Sequence, residues 1–561
     1  MGFGTASAGP FFEFEANLTN HEDAFSQPHQ GWPLDNRRQT FATVEGFYDC
    51  QSTTPRTNYP WLKELGCESV ISGIPYPLAF DVIVGDQVLN ASVAESSVSR
   101  YVSWMDFHNG IRGYNFTWSP AGANFLLDLE MTVLVSRNRP NVAATQYRLT
   151  TKSIKGSASI LSRLMGHRIR SSFTEPNTYT ITLVDRIDGR SAVRSFLGEK
   201  GSSSNTTIHV SSHPDGQPDV TVWTTSTANI SNGYTDESSR TMIYPGDSSG
   251  MSIGQKWNVH LVEGKAAIFQ KYIGVASSDH FPDPKGQASA ESQRAAKDGF
   301  QQVLQEHSTA WNVIMDPDRL TDYRDPSTGK LPDDANIRML HASNVVSAFS
   351  LLQNLNRADS GLDDEGVPVA GLASDAYAGD RFWDQELWMF PPVAITWPHY
   401  ARQFAEFRTK QYQHALQNAQ APYVQKKYPF DNQSALYPWT SGRWGNATAT
   451  GPVLDYEYHI NGDVALMLLQ FHAITGDDEY FAEKYWPVVN SVTHTIAALL
   501  QRDGDGWSLN NMTDPDEYAV SHLNPSLLFS PFRIFYVYVL MKVCRTISTT
   551  EHSLLVYSRK S

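Results

Sequence analysis

Cysteine is scarce in this chain: Cys50, Cys67 and Cys544 are the only three in 561 residues. Three thiols cannot make a disulfide scaffold or a zinc cluster. Cys50 and Cys67 can pair in an oxidising compartment or persist as two buried thiols, and the sequence leaves both open. Charge is sparse too, at 18%, and the shortage is of basic residues: 44 Lys and Arg face 59 Asp and Glu, for a formal net charge of -15. Such a chain is not built to hold nucleic acid or an anionic membrane, because phosphate binding needs a positive surface. Neutral partners such as sugars remain compatible. No apolar run reaches the roughly 18 residues of a membrane-spanning helix. The opening MGFGTASAGPFFEFEANLTN has neither a basic segment nor an apolar one after it, so no signal peptide is visible. No phosphate-cradling glycine loop or HExxH pattern occurs, and no metal or organic cofactor is implied.

What is present belongs to a folded protein of more than one domain: 41% hydrophobic and 12% aromatic residues over a length beyond a single core. Eight N-x-S/T sequons stand at Asn17, Asn90, Asn115, Asn205, Asn229, Asn432, Asn446 and Asn511, about twice the number expected by chance. They lean towards a secretory-pathway glycoprotein.

Residues 1 to about 275 read as β structure. LAFDVIVGDQVLN (78–90) alternates apolar and polar residues across Gly85-Asp86, as a two-residue hairpin does. TYTITLVDR, TTIHVSS, DVTVWTT and KWNVHLVEGKAAIFQKYIGVAS repeat the pattern between turn-forming clusters, predicting a large antiparallel sandwich. After HFPDPKG, the spacing of Phe300, Val303, Leu304 and Trp311 predicts one long amphipathic helix over 288–315. Helices then dominate, at about 334–357, 399–420, 457–474 and 478–502, joined by short polar turns such as Thr475-Gly476-Asp477. That pattern predicts an all-α toroid or solenoid. From Val520 the text changes to β-prone runs such as FRIFYVYVLMKV and reads as foreign to what precedes it.

Several short motifs reduce to loops. GMSIG (250–254) fits G-x-S-x-G but lacks the strand before and helix after that make a nucleophile elbow. DGDGW (503–507) is half of a calcium loop and reads as a turn. Two aromatic and acidic stretches carry more. GDRFWDQELWMFPPV (379–393) sets Asp384 and Glu386 between Trp383 and Trp388; the acids suit sugar hydroxyls, or else the first turn of the next helix. LYPWTSGRWGNATATGPVLDYEYHINGD (436–463) holds Trp439, Trp444, Tyr456 and Tyr458 with Asp455, Glu457 and Asp463. Aromatic faces suit pyranose C–H surfaces and carboxyls suit proton transfer. Glu457 falls at the entry of a helix with His459 as a possible hydrogen-bond partner. Asp514, Asp516 and Glu517 are site residues or turn acids.

Taken in order, ASAGPFFEFE, GWPLDNRRQTFATVEGFYD, VISGIPYP, GLASDAYAGDRFWDQELWMFP, YPWTSGRWGNATATGPVLDYEYHINGD and NMTDPDEYA resemble the fungal acid trehalases of glycoside hydrolase family 65 over residues 1 to 519. The resemblance implies an N-terminal antiparallel β-supersandwich (1–278), a helical linker (279–332) and an (α/α)6 barrel, incomplete here (333–519), with 520–561 as an aberrant tail. It implies hydrolysis of α,α-trehalose to two glucoses with inversion. Glu457 matches the general acid, and Trp383 and Asp384 match the glucose-binding pair; Glu386, Trp439 and His459 are further substrate-binding candidates. The implied setting is extracellular, cell wall or vacuole.

The sequence departs from that family at both ends, and after DEYA it reads VSHLNPSLL where the family has an Asn-rich segment. A retained intron or a gene-model error would produce such a switch. The expected general base lies beyond residue 520, so the chain as written is expected to be catalytically crippled and poorly soluble. A family 65 disaccharide phosphorylase, a glucosidase for glucosylgalactosyl-hydroxylysine and a non-catalytic sugar-binding remnant stand as alternatives.

Overall fold

The computed structural model describes residues 3–7, 40–50, 67, 69–90, 93–154, 177–316 (except 205, 233 and 248), 320–357, 365–445, 457–503, 506–509 and 512. The tail from 520, the stretch 511–519 except Met512, Asp455, Tyr456 and the sequons at Asn17, Asn205, Asn446 and Asn511 lie outside those residues.

Alternation becomes structure as expected through the first half. Strand β7 (Phe125–Val135) buries every second side chain over most of its length, from Phe125 through Leu127, Leu129, Met131 and Val133. It lies in an eight-stranded antiparallel sheet whose order is β10-β11-β12-β15-β8-β7-β6-β5. Those strands span Ser195–Ser204 (β10), Thr207–Pro214 (β11), Val222–Ser231 (β12), Ala266–Ser277 (β15), Val142–Ser153 (β8), Ile111–Trp118 (β6) and Val98–Asp106 (β5). A five-stranded sheet packs against it, ordered β13-β14-β9-β3-β4. Its strands are Tyr234–Ile243 (β13), Ile253–Val262 (β14), Thr178–Ile187 (β9), Phe80–Val84 (β3) and Gln87–Leu89 (β4). Trp118, Leu129, Tyr147 and Phe269 from the larger sheet meet Phe80, Leu183 and Trp257 from the smaller in one core. The hairpin at 78–90 forms with Val84 opposite Gln87, so Gly85 and Asp86 are its turn. A short strand pair, Phe3–Ser7 (β1) with Thr40–Val44 (β2), stands apart from both sheets. GMSIG runs into β14 with no helix behind it, as a loop should. Cys50 and Cys67 are joined by a disulfide.

The long helix expected over 288–315 is two helices, Pro284–Asp298 and Phe300–Ile314. Gly299 lies between them at φ 85° and ψ 159°, a conformation that ends one helix and re-aims the next. The second helix turns Phe300, Val303, His307, Trp311 and Ile314 inward at the three-and-four spacing of an amphipathic face. His307 locks it to the sandwich: Nδ1 accepts from the Arg137 N–H at 2.9 Å and Nε2 donates to the Gly110 carbonyl at 3.0 Å. Burial pushes that imidazole down to about 4, which suits a neutral ring with one donor and one acceptor.

Beyond it come Ala335–Leu352, Phe390–Thr396, Pro398–Lys410, Tyr412–Gln420, His459–Thr475 and Trp486–Leu499. Phe349, Phe390, Phe404, Val464, Leu468, Phe471, Val488 and Val492 form their shared core, to which the helix Phe300–Ile314 adds Trp311 and Ile314. These helices are the (α/α)-barrel-like half of the molecule. The helix expected to reach 502 stops at Leu499, because Leu500–Asp503 pairs as a strand with Gly506–Leu509. No helix among the described residues is long and apolar enough to cross a membrane.

Candidate active site

Three segments of the helical half meet above one edge of the sandwich. Arg381 and Ser441 exchange backbone hydrogen bonds of 3.0 Å, joining the loop 379–384 to the loop 436–445. Asn461, near the start of the helix His459–Thr475, accepts from the Tyr437 N–H at 2.7 Å and donates back to the Tyr458 carbonyl at 3.2 Å. That side chain ties the third segment to the second.

The sandwich supports this assembly from below. Ile71 donates its N–H to the Ala378 carbonyl at 2.9 Å, and the Tyr48 hydroxyl binds both the Gly379 carbonyl and the Arg381 guanidinium. Burial drives the Tyr48 phenol far up, the nearby Arg381 charge only partly opposing it. Arg194 pairs with Asp375 at 2.8 Å. Tyr377, Ala378 and Gly379 all take left-handed conformations, at φ 53°, 57° and 69°. Two of the three are not glycine, so the backbone is strained just before Trp383 and must be held by its surroundings. A side chain at Gly379 would stand 2.4 Å from Ile71 Cγ2.

Glu457 is 5% exposed and lies two residues before the helix His459–Thr475. Its Oε2 lies 2.9 Å from His459 Nε2, and His459 Nδ1 lies 2.7 Å from Asp463 Oδ2. Burial alone would lower the basicity of this imidazole. The hydrogen bonds to Asp463 and Glu457 outweigh it and raise the imidazole to about 9. Trp383 meets His459 edge-on, with ring centres 5.6 Å apart, and leans on Trp388 at the same spacing. Asp384 beside it is half-buried, and desolvation raises its carboxyl above the usual range. Trp439 packs edge to face on Phe382 at 5.5 Å. Trp383, Asp384, Glu457 and His459 are thus one neighbourhood, with Trp439 reaching it through Phe382.

Glu386 departs from what its position suggested. It is completely buried, with Oε1 and Oε2 held by Arg408 at 2.7 and 3.0 Å and Gln385 donating to Oε1 at 2.7 Å. A carboxylate buried and bonded in this way supports the loop, unlike the half-buried Asp384. Its local backbone explains the inward turn: Gln385–Met389 is a π-helical turn, a register slip that sends Glu386 inward and leaves Trp388 exposed. Arg408 also donates to Ser441 Oγ at 2.9 Å, so the pair braces both site loops. Trp444 is also structural, packing with Phe41, Tyr48, Ile71 and Leu372 where sandwich and helices meet.

Residues 12–314 match the glycosyl hydrolase family 65 N-terminal domain, and residues 346–557 match the family's central catalytic domain. The chain belongs to glycosyl hydrolase family 65. Among curated proteins it is similar to an acid trehalase of Emericella nidulans, 35% identical over 92% of this chain and 47% of that protein. It is also similar to a cell wall acid trehalase of Arthroderma benhamiae, 33% identical with the same shares covered. The chain therefore spans about half the length of these relatives. Among solved structures it shares its fold with a putative kojibiose phosphorylase from the human microbiome. That match has a TM-score of 0.69 at 13% identity, covering 91% of this chain and 60% of the other.

Three features of this neighbourhood are not evident in the sequence. Arg408 lies in the last turn of Pro398–Lys410, 22 residues from Glu386, with nothing local to pair them. Tyr48 and Ile71 belong to motifs with no evident chemistry. Asp463 was seen only as one more acid, although its four-residue spacing from His459 on a helix was a usable signal.

Proposed function

We propose that this chain carries the proton-donating side of an inverting α-glucosidase site, and that the protein hydrolyses α,α-trehalose to two glucoses. The observation that carries the reading is Glu457: a buried carboxyl at a helix entry, oriented by His459, with the Trp383 indole and the Asp384 carboxyl alongside. Likeness to two acid trehalases supports the substrate. In this reading Glu457 protonates the glycosidic oxygen, Trp383 lies against a glucose C–H face, and Asp384 accepts from glucose hydroxyls. A second carboxyl, expected beyond residue 520, activates water across a gap of roughly 6.5–9.5 Å.

The division into 1–278, 279–332 and 333–519 is likewise our reading, supported by the last sandwich strand ending at Ser277 and the helices beginning at Pro284. An extracellular, cell-wall or vacuolar setting is supported by the Cys50–Cys67 disulfide and by sequons at Asn115, Asn229 and Asn432 that are exposed.

The test compares two leaving groups on the full protein. α-Glucosyl fluoride departs without protonation, whereas the alkoxide of trehalose needs an acid. Glu457→Gln is expected to lower trehalose hydrolysis by about 10²–10⁴-fold while leaving the fluoride within about tenfold. Equal losses on both substrates, or release of glucose 1-phosphate only when phosphate is supplied, would overturn the reading.

A further inference from the structure

His459 stands between two carboxylates on one turn of its helix. A neutral imidazole has a single N–H and can donate to only one of them; the doubly donating form is the imidazolium. Both contacts are short, 2.9 Å to Glu457 Oε2 and 2.7 Å to Asp463 Oδ2. Asp463 is 3% exposed and four residues further along the same face, so it can hold the ring from behind. The loop packed against the ring presents the Trp383 indole, perpendicular to the imidazole, and, next to it, Asp384; the charged groups bonded to the imidazole are Glu457 and Asp463. Rotation of the ring would break two charge-assisted hydrogen bonds at once.

We propose that His459 and Asp463 form a positioning dyad for the acid: Asp463 fixes the imidazolium, the imidazolium fixes Oε2 of Glu457, and Oε1 is left to carry the proton to the leaving oxygen. This rests on Glu457 being the acid. The charge of the ring is stable over the range where a carboxylic acid works, since His459 is raised to about 9 by its two acidic neighbours. The ring therefore holds geometry without itself titrating during the reaction. Neither residue touches the substrate in this scheme.

The test uses the full protein with Glu457→Gln, His459→Gln, His459→Ala and Asp463→Asn, each assayed on trehalose and on α-glucosyl fluoride. The His459 ring is followed by ¹⁵N NMR in wild type and Asp463→Asn. His459→Ala and Asp463→Asn are expected to cut kcat on trehalose about 10- to 100-fold, the cost of a misplaced acid, with KM within about threefold. The fluoride should be spared. Gln at 459 keeps a donor towards Glu457 and should recover part of the loss. Asp463→Asn should also move the His459 titration down by about one pH unit or more. Losses shared equally by both substrates, or unchanged trehalose turnover in the His459 and Asp463 variants, overturn the dyad. If those variants are silent while Glu457→Gln abolishes trehalose cleavage, the dyad fails and the acid stands. If Glu457→Gln itself is fully active on trehalose, the acid assignment fails and the dyad with it.

Discussion

Two acid-bearing segments, 380–389 and 457–463, enclose charge in opposite ways. In the first, Glu386 is buried with both oxygens gripped by the planar fork of Arg408, so one negative charge is matched by one positive charge. In the second, Glu457 and Asp463 both bond the His459 imidazolium, and one oxygen of Glu457 is not engaged by His459. The first arrangement suits a brace. The second suits proton transfer, because a carboxyl with a spare oxygen and a fixed neighbour can exchange a proton without rebuilding its surroundings. Buried acids a few residues from a tryptophan look alike in the sequence, and only their partners separate them.

The sharpest way to break this comparison is to disarm the brace. Glu386→Gln keeps volume but leaves the Arg408 charge enclosed without its counter-ion, a change that typically costs ~3–5 kcal/mol. Denaturant unfolding should show that loss, with binding and activity failing together as the site loops loosen. Replacing both partners with apolar residues of similar size, as Glu386→Leu with Arg408→Met, should recover most of the stability. A single Glu386→Gln within about 1 kcal/mol of wild type would show that the pair is not a brace.

A smaller effect is expected where the sandwich carries the site. Gly379→Ala places a methyl 2.4 Å from Ile71 Cγ2 at a backbone φ of 69°. The left-handed conformation alone costs a non-glycine residue ~1–2 kcal/mol, and relieving the contact must push Ile71 or the Trp383 loop. Thermal unfolding should register the strain, and glucose affinity should fall through displacement of Trp383. Removing the Ile71 branches, as Ile71→Ala, should restore affinity in the double variant if contact is the cause.

Much of this architecture was legible. Alternation located the strands and the hairpin at Gly85-Asp86, and the aromatic and acidic segments at 379–393 and 436–463 do converge. What escaped depends on distance along the chain or on local backbone. Glu386 and Arg408 are 22 residues apart, and nothing local says that a π-helical turn will rotate the acid inward. Tyr48 binds Gly379 across a separation of 331 residues, so VISGIPYP and ATVEGFYD read as patterns without chemistry when they are docking surfaces. Gly299 was visible, yet the apolar spacing on either side masked the break, since a re-aimed helix can keep the same buried face. Leu500 to Asp503 carry no helix stop signal of their own, and only the strand opposite decides their state.

The finest test sets Asp384 against Glu386, two residues away on the same turn. Asp384 is half-buried, and desolvation raises its carboxyl above the ordinary range. A raised carboxyl binds its proton more tightly in the folded state. Its contribution to stability is therefore complete below the ordinary value near 3.8 and disappears as pH climbs through the folded value. At neutral pH the ionised group is a modest cost, tempered by solvent at a half-open position. Asp384→Asn should then be slightly more stable than wild type at pH 7, by ~0.5 kcal/mol, with the gain vanishing near pH 3. The same variant should bind glucose about tenfold more weakly, since a charge-assisted hydrogen bond to a hydroxyl is lost. Stability and affinity moving in opposite directions would mark Asp384 as a ligand-facing acid. If Asp384→Asn instead destabilises at pH 7, Asp384 belongs with Glu386 as part of the brace, and the division between the two acids fails.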